Sequence, residues 1–148
     1  MAIPTDDERL KAASLTEEEF TGELEVNGSA SLDLFQILTT EQINQCRSLP
    51  AQAWLDPANK DGYTLHFKFE RLPDPWVFAF YGSTLVGGMA FGDNISVDAG
   101  HVCRGIGAEL CAAGHAQCPE KPRPRRVTEL GEKTIRSAYR LVRRVNGH

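Results

Sequence analysis

The middle of the chain shows the clearest alternation of apolar and polar residues. Residues 65–70 alternate strictly, which predicts a strand with one solvent-facing side. Residues 76–81 and 84–91 are two further strand-like segments, and the Gly-Ser pair between them predicts a hairpin turn. The Gly-Gly pair at 87–88 indicates a bulge or a close approach of another backbone. The segment 94–97 follows as a further predicted strand.

Capping residues and apolar spacing predict the helices. Thr16 and Glu19 have the spacing of a capping box, and Phe20 is the first apolar anchor after them. The capping box lies within an acidic, weakly helical segment, residues 1–22. Further helices are predicted over residues 39–49, 106–117 and 128–145.

A second hairpin is predicted near the N-terminus. Leu24 and Val26 alternate with glutamates, and the Asn-Gly pair that follows is typical of a two-residue turn. The partner strand would lie within residues 30–38. Residues 51–61 contain several turn-forming residues and are predicted to form a loop.

These elements predict an α+β protein with a mostly antiparallel sheet flanked by helices. The length of 148 residues fits one domain, 1–148. Within it we distinguish an acidic segment over 1–22, a Pro- and Arg-rich linker over 119–127 and a basic C-terminal helix over 128–145. The apolar stripe of this helix consists of Leu130, Ile135, Ala138, Leu141, Val142 and Val145.

Charge is distributed unevenly along the chain. Residues 1–120 hold 7 Lys and Arg against 18 Asp and Glu, whereas residues 121–148 hold 9 against 2. The apolar stripe favours a basic tail that folds back onto the acidic body over a free nucleic-acid-binding arm. With no apolar run of bilayer length and no signal peptide, we expect a cytoplasmic protein with free thiols and no membrane partner.

The segment 97–110 points most directly to a ligand. The strand over 94–97 is followed by a short polar loop, by the Gly-x-Gly pair at 105–107 and by a predicted helix. The first N–H groups of a helix have no partner within the helix, and the helix dipole is positive at this end. A glycine-rich turn that leads into a helix therefore favours binding of an anion, most often a phosphate.

This segment resembles the acetyl-CoA-binding loop of the GNAT acetyltransferase superfamily. Members have a strand that ends in Val, a Gly-rich loop and a helix with Leu, which correspond here to Val97, Gly105, Ile106, Gly107 and Leu110. The hairpin over 76–88 is also similar to the central hairpin of that family, so the resemblance covers about residues 76–116. Val102 and Cys103 stand where the family usually has Arg-Gly.

The resemblance implies that the protein binds acetyl-CoA and transfers the acetyl group to an amine. Backbone N–H groups around 104–108 would hold the cofactor diphosphate, and backbone groups at the end of 94–97 would polarise the thioester carbonyl. Asp93 or Asp98 would accept the amine proton, and Tyr139 would protonate the leaving thiolate. The implied cofactor-binding residues are Val97, Cys103, Arg104, Gly105, Ile106, Gly107 and Ala108.

Two other functions stay open. A small acidic protein with a degenerate cofactor loop also fits a non-catalytic protein-binding module or inhibitor of the phage or mobile-element type. The basic helix over 128–145 offers arginines for phosphate contacts with nucleic acid, although the acidic body would repel that partner.

A metal site is not predicted. Cys111, His115 and Cys118 share one face of the helix over 106–117 and its continuation. Zinc sites usually contain closely spaced Cys-x-x-Cys pairs, which this chain lacks. The face is equally typical of a buried stripe of small apolar side chains, because free cysteine is commonly buried.

Overall fold

An antiparallel sheet forms the centre of the protein, as the alternating segments predict. The strands of the computed structural model are β2 (Ala51–Gln52), β3 (Tyr63–Phe67), β4 (Trp76–Tyr81), β5 (Thr84–Ala90) and β6 (Asn94–Val97). They form one sheet in the order β2-β3-β4-β5-β6, in which every neighbouring pair is antiparallel. The structure describes residues 5–26, 38–67, 76–90, 94–101, 104–117 and 125–147.

Helices begin where the capping residues predict. Thr16, Thr39 and Thr128 each accept a hydrogen bond from the backbone N–H three residues later. The helices are α1 (Asp6–Leu10), α2 (Glu17–Thr21), α3 (Thr40–Arg47), α4 (Ile106–Gln117) and α5 (Glu129–Val145). The α+β class predicted from the sequence is confirmed. Among the described residues, none of these helices has both the length and the apolar character that a bilayer crossing requires.

Helices cover both faces of the sheet. On one face, Leu65 and Ala79 belong to the main hydrophobic core, where the sheet packs against α4. On the other face, Phe78 packs in a second core with Cys46 of α3. The prediction of a solvent-facing side for β3 is therefore wrong at His66, and the other two residues of that side, Lys68 and Glu70, lie outside the described residues. His66 is only 6% exposed, because it lies on the face that α3 covers.

Glycines allow α4 to lie close to the sheet. A Cβ atom on Gly87 of β5 would stand 3.1 Å from Leu110, and a Cβ atom on Gly114 would overlap Met89. The pairing of β4 with β5 also shifts by one residue next to Gly87. The bulge predicted at this position is present, and the close approach is made by the side chain of Leu110.

The last helix packs on α4. A Cβ atom on Gly107 would stand 2.8 Å from the methyl carbon of Thr134, so the absence of a side chain at Gly107 sets the distance between α4 and α5. Ile135 and Val142 are buried as the apolar stripe predicts. Leu130 and Val145 differ from that prediction: they are 59% and 37% exposed, because the first and last turns of α5 extend beyond the core.

Ion pairs join the basic helix to the acidic part of the chain. Arg136 lies 3.8 Å from Glu17, and Arg144 lies 2.7 Å from Asp56. Exposed pairs of this kind contribute little stability each. They neutralise part of the positive charge of α5, in agreement with a basic tail that folds back onto the acidic body.

Two further strands form a separate parallel pair. β1 (Leu24–Val26) pairs with β7 (Arg125–Val127). Two predictions are corrected here: the end of the expected linker 119–127 is the strand β7, and the start of the expected loop 51–61 is the strand β2. Local composition indicates neither strand, because each depends on a partner elsewhere in the chain. The turn and most of the second strand of the predicted hairpin, residues 27–37, lie outside the described residues.

We expect the Gly107→Ala substitution to destabilise the fold by about 1–3 kcal/mol, the usual cost of overpacking a close contact. The β-branched side chain of Thr134 has few alternative rotamers in a helix, so the added methyl group has to displace α5. Unfolding in urea measures the difference in the free energy of unfolding.

Two further variants make this measurement specific. Nothing lies within 4 Å of a Cβ atom on Gly100, so Gly100→Ala should change stability by no more than about 0.5 kcal/mol. Adding Thr134→Ser to Gly107→Ala removes the opposing methyl group and should recover part of the loss. Wild-type stability in Gly107→Ala alone would contradict the proposed contact.

Candidate functional site

Polar and aromatic side chains meet at the end of the sheet where α4 begins. Strand β6 ends at Val97, and β4 ends at Tyr81, which pairs with Tyr63 at the start of β3. Because β4 and β6 are both antiparallel to β5, they run in the same direction and end at the same edge. We refer to the residues gathered there as the α4-start cluster: Lys60, Tyr63, Tyr81, His101, Arg104 and Gly105.

Gly105 occupies the N-cap position of α4. The N–H of Glu109 donates to the carbonyl of Gly105 at 3.1 Å, and Gly105 has a φ of 77°, which is left-handed and favours glycine. Glycine has no side chain that could cap the N–H groups of the first helical turn. Those N–H groups and the positive end of the helix dipole favour an anion at this position.

Lys60 places a buried cation beside the start of α4. Its side chain donates to the carbonyls of Asp56 at 2.7 Å and Ala58 at 3.2 Å, and Lys60 is only 6% exposed. A Cβ atom on Gly105 would stand 3.3 Å from Lys60 Nζ. A cation next to the positive end of a helix is unfavourable by itself. Glu109 and the two carbonyl groups offset the charge of Lys60, and an anion at the helix start would add to this compensation.

Glu109 holds the loop that carries Lys60 against α4. The Glu109 carboxylate is fully buried and accepts the backbone N–H groups of Leu55 at 3.1 Å and Asp56 at 2.8 Å. Lys60 Nζ lies 4.0 Å from Glu109 Oε2. Burial raises the pKa of Glu109, while the two N–H groups and the neighbouring cations act in the opposite direction.

A second buried cation, Arg9, lies near the other oxygen of Glu109. The side chain of Arg9 is fully buried, and its Nη1 lies 4.0 Å from Glu109 Oε1. Within the described part of the chain, Arg9 Nε and Nη1 have no hydrogen-bond acceptor. Its remaining nitrogen, Nη2, pairs with the exposed carboxylate of Asp6. The charges of Arg9 and Lys60 are therefore matched by one buried carboxylate, Glu109, and one exposed carboxylate, Asp6.

Aromatic rings line the outer part of the cluster. The rings of Tyr63 and Tyr81 stack with their centres 4.7 Å apart, and the Tyr63 hydroxyl forms a 2.7 Å hydrogen bond with His101 Nδ1. The guanidinium of Arg104 lies 5.8 Å from the centre of the Tyr63 ring. Arg104 itself is exposed, so its charge is accessible to a ligand in solvent.

The structure brings most of the predicted cofactor-binding residues together, but in different roles. Arg104 and Gly105 face the site, whereas the side chains of Ile106 and Ala108 are buried, so these two residues offer only backbone groups. The space beside Gly107 is filled by Thr134 and by Val97 of β6, and it is therefore not available to a ligand. Cys103 lies outside the described residues.

The predicted acid and base residues are not brought together. Asp98 is exposed at the end of β6, and its backbone N–H donates to the carbonyl of Val86 at 2.8 Å. Asp93 lies outside the described residues. The Tyr139 hydroxyl donates to the carbonyl of Leu15 and accepts a hydrogen bond from Arg143 at 3.0 Å. Tyr139 therefore has intramolecular partners in the N-terminal segment and in its own helix, and it is not a member of the α4-start cluster.

The residues that sequence reasoning missed are Lys60, Tyr63, His101 and Glu109. They come from separate loops and strands, so spacing along the chain does not connect them. One signal was present: Glu109 is the single charged residue between Ile106 and Gly114, in an otherwise apolar helical segment. A lone carboxylate in such a segment indicates a buried, compensated charge.

The Cys and His face of α4 is part of the packing. Cys111 is buried, and the ring of His115 stacks on Phe20 with the ring centres 4.6 Å apart. Cys118 lies outside the described residues. In the part of the chain that the structure describes, no group of three or more His, Cys, Asp and Glu side chains is arranged to hold a metal ion.

Comparison with known proteins gives no relative: no family model, no curated protein and no solved structure matches this chain. The functional interpretation therefore depends on the geometry of the α4-start cluster and on the resemblance of residues 97–110 to a CoA-binding loop.

The pKa of Glu109 predicts a pH dependence of defined sign. A carboxyl whose pKa is raised above its ordinary value of 4.5 binds a proton more tightly in the folded state. Its contribution to stability is fully present below 4.5 and is lost as the pH rises through the raised pKa. Glu19 is the opposite case, because hydrogen bonds with Thr16 lower its pKa. Its contribution is present above 4.5 and is lost as the pH falls through the lowered value.

Urea unfolding over a pH series tests both signs. The free energy of unfolding of the wild type minus that of Glu109→Gln should fall as the pH rises. The corresponding difference for Glu19→Gln should rise. A Glu109 difference that increases with pH would mean that the surrounding N–H groups and cations outweigh burial, contrary to our expectation.

Proposed function

We propose that the protein binds a CoA thioester at the α4-start cluster and transfers the acyl group to an amine. The observation that carries the proposal is the left-handed, side-chain-free N-cap Gly105 next to the buried ammonium of Lys60. A diphosphate provides the negative charge that this position favours, and the backbone N–H groups at 106–108 and the Arg104 guanidinium would hold it.

Acyl transfer requires a base for the acceptor amine. In this reaction the amine nitrogen attacks the thioester carbonyl, the C–S bond breaks, the amine loses a proton and the thiolate gains one. Asp98 is the exposed carboxylate at the end of β6, and we propose it as the base. We do not assign Tyr139 as the acid, because its hydroxyl already bonds with Leu15 and Arg143.

A protein-binding function is the second candidate. Leu130 at the start of α5 is 59% exposed and Val26 at the end of β1 is 41% exposed. Contiguous apolar patches are typical of surfaces that contact other proteins, and Val26 pairs with Val127, three residues before Leu130. Nucleic-acid binding through α5 is less favoured, because Glu17 and Asp56 pair with two of its arginines.

Calorimetric titration with acetyl-CoA tests the proposed function. We expect micromolar binding by the wild type, and we expect Arg104→Glu to weaken it by about tenfold or more, because a like charge then faces the diphosphate. Arg140→Glu makes the same charge change on an exposed face of α5 and should leave the affinity unchanged. Absence of heat at millimolar acetyl-CoA would refute the proposal and would direct the search to a protein partner.

A further inference from the structure

The aromatic part of the α4-start cluster lies on the same face of the sheet as α4. Along β4, Val77 and Ala79 belong to the core beneath α4, and Tyr81 continues this alternation one step further. Tyr63 begins β3 directly opposite Tyr81. Both rings therefore lie on the α4 side, at the edge where α4 starts.

Tyr81 is held in place although it is exposed. One face of its ring stacks on Tyr63, with the ring centres 4.7 Å apart and the planes 23° from parallel. A Cβ atom on Gly62 would stand 3.4 Å from Tyr81 Cε2, and Gly62 has a left-handed φ of 80°. The glycine thus lets the backbone of the turn lie directly against the ring, and the ring is fixed before any ligand binds.

The exposure of Tyr81 contrasts with the rest of its strand. Tyr81 is 45% exposed, whereas Trp76, Phe78 and Phe80 of the same strand are at most 2% exposed. A fixed aromatic ring with a large accessible surface is the feature on which nucleic-acid-binding proteins stack bases. Core packing does not account for a large aromatic residue at position 81, since nearly half of the surface of Tyr81 is exposed.

The guanidinium of Arg104 and the imidazole of His101 lie next to the two tyrosine rings. The guanidinium of Arg104 lies 5.8 Å from the centre of the Tyr63 ring, which itself stacks on Tyr81, and Arg104 immediately precedes Gly105. The His101 ring lies 5.6 Å from the Tyr81 ring. The Tyr63 ring therefore separates the exposed Tyr81 ring from Arg104 at the start of α4. In a nucleotide, one sugar separates the base from the diphosphate in a similar way.

We propose that Tyr81 stacks on the adenine ring of the bound CoA thioester. This inference rests on the proposed function and specifies its substrate. A site that stacks on adenine selects free CoA thioesters. Thioesters carried on a protein-bound phosphopantetheine arm have the same arm but no base, so they gain nothing from Tyr81.

Binding measurements with three ligands test the proposal: acetyl-CoA, ADP and S-acetyl-4′-phosphopantetheine, each titrated into the wild type, Tyr81→Ala and Tyr81→Phe. Tyr81→Ala should weaken acetyl-CoA and ADP by about 5- to 150-fold, which is the range that stacking of one base on an aromatic side chain provides. Tyr81→Phe retains the ring and should bind within about twofold of the wild type. The affinity for S-acetyl-4′-phosphopantetheine should be the same in all three proteins.

Thr84→Ala is the matched control, because Thr84 is exposed and pairs with Tyr81 across the hairpin but has no ring. It should leave all three affinities unchanged, and a cooperative urea-unfolding transition verifies that each variant is folded. Equal affinity of Tyr81→Ala and wild type for acetyl-CoA would overturn the role of Tyr81 and leave the proposed function intact. A loss of S-acetyl-4′-phosphopantetheine binding in Tyr81→Ala would also overturn it. No binding of acetyl-CoA or ADP by the wild type would refute both proposals.

Discussion

The buried carboxylate of Glu109 is the interaction on which the candidate site depends. It is fully buried on α4 and accepts the backbone N–H groups of Leu55 and Asp56, so it fixes the loop before β3 to the first turns of the helix. That loop in turn places Lys60 beside Gly105. An isolated carboxylate in this environment would be strongly unfavourable, and the two N–H groups and two nearby cations compensate it. The position of Lys60 at the start of α4 therefore depends on a carboxylate that is itself fully buried.

The two glycines of the motif illustrate why a short resemblance has to be examined in three dimensions. Gly105 has a left-handed backbone and leaves the helix start uncapped. Gly107 allows α5 to approach, because the Thr134 methyl group occupies the space where its side chain would be. One glycine of the pair thus belongs to the proposed ligand site and the other permits helix packing, although both match the same pattern.

The elements that the sequence predicts well are those with local signals. Threonine caps at Thr16, Thr39 and Thr128 and the apolar segments of β4 and β5 were sufficient for the α+β class. The side of β3 that His66 occupies was predicted incorrectly, because alternation shows that a strand has two sides but not what covers each of them. Lys60 and Glu109 could not be paired from the sequence, since their proximity depends on how the loop packs on α4. For the candidate site, the start of α4 was predicted. The contributions of Lys60, Tyr63 and His101 to that site were not.

The parallel pairing of β1 with β7 has a consequence for how the chain folds. Leu24 is opposite Arg125, so this contact closes a loop of about a hundred residues. Tyr139 also reaches back to Leu15 from the last helix. Contacts of such high sequence separation form late, because the entropy of closing the loop has to be overcome before they contribute. During synthesis α2 therefore leaves the ribosome long before its binding surface on α5 exists, and it can dock only after α5 has been made.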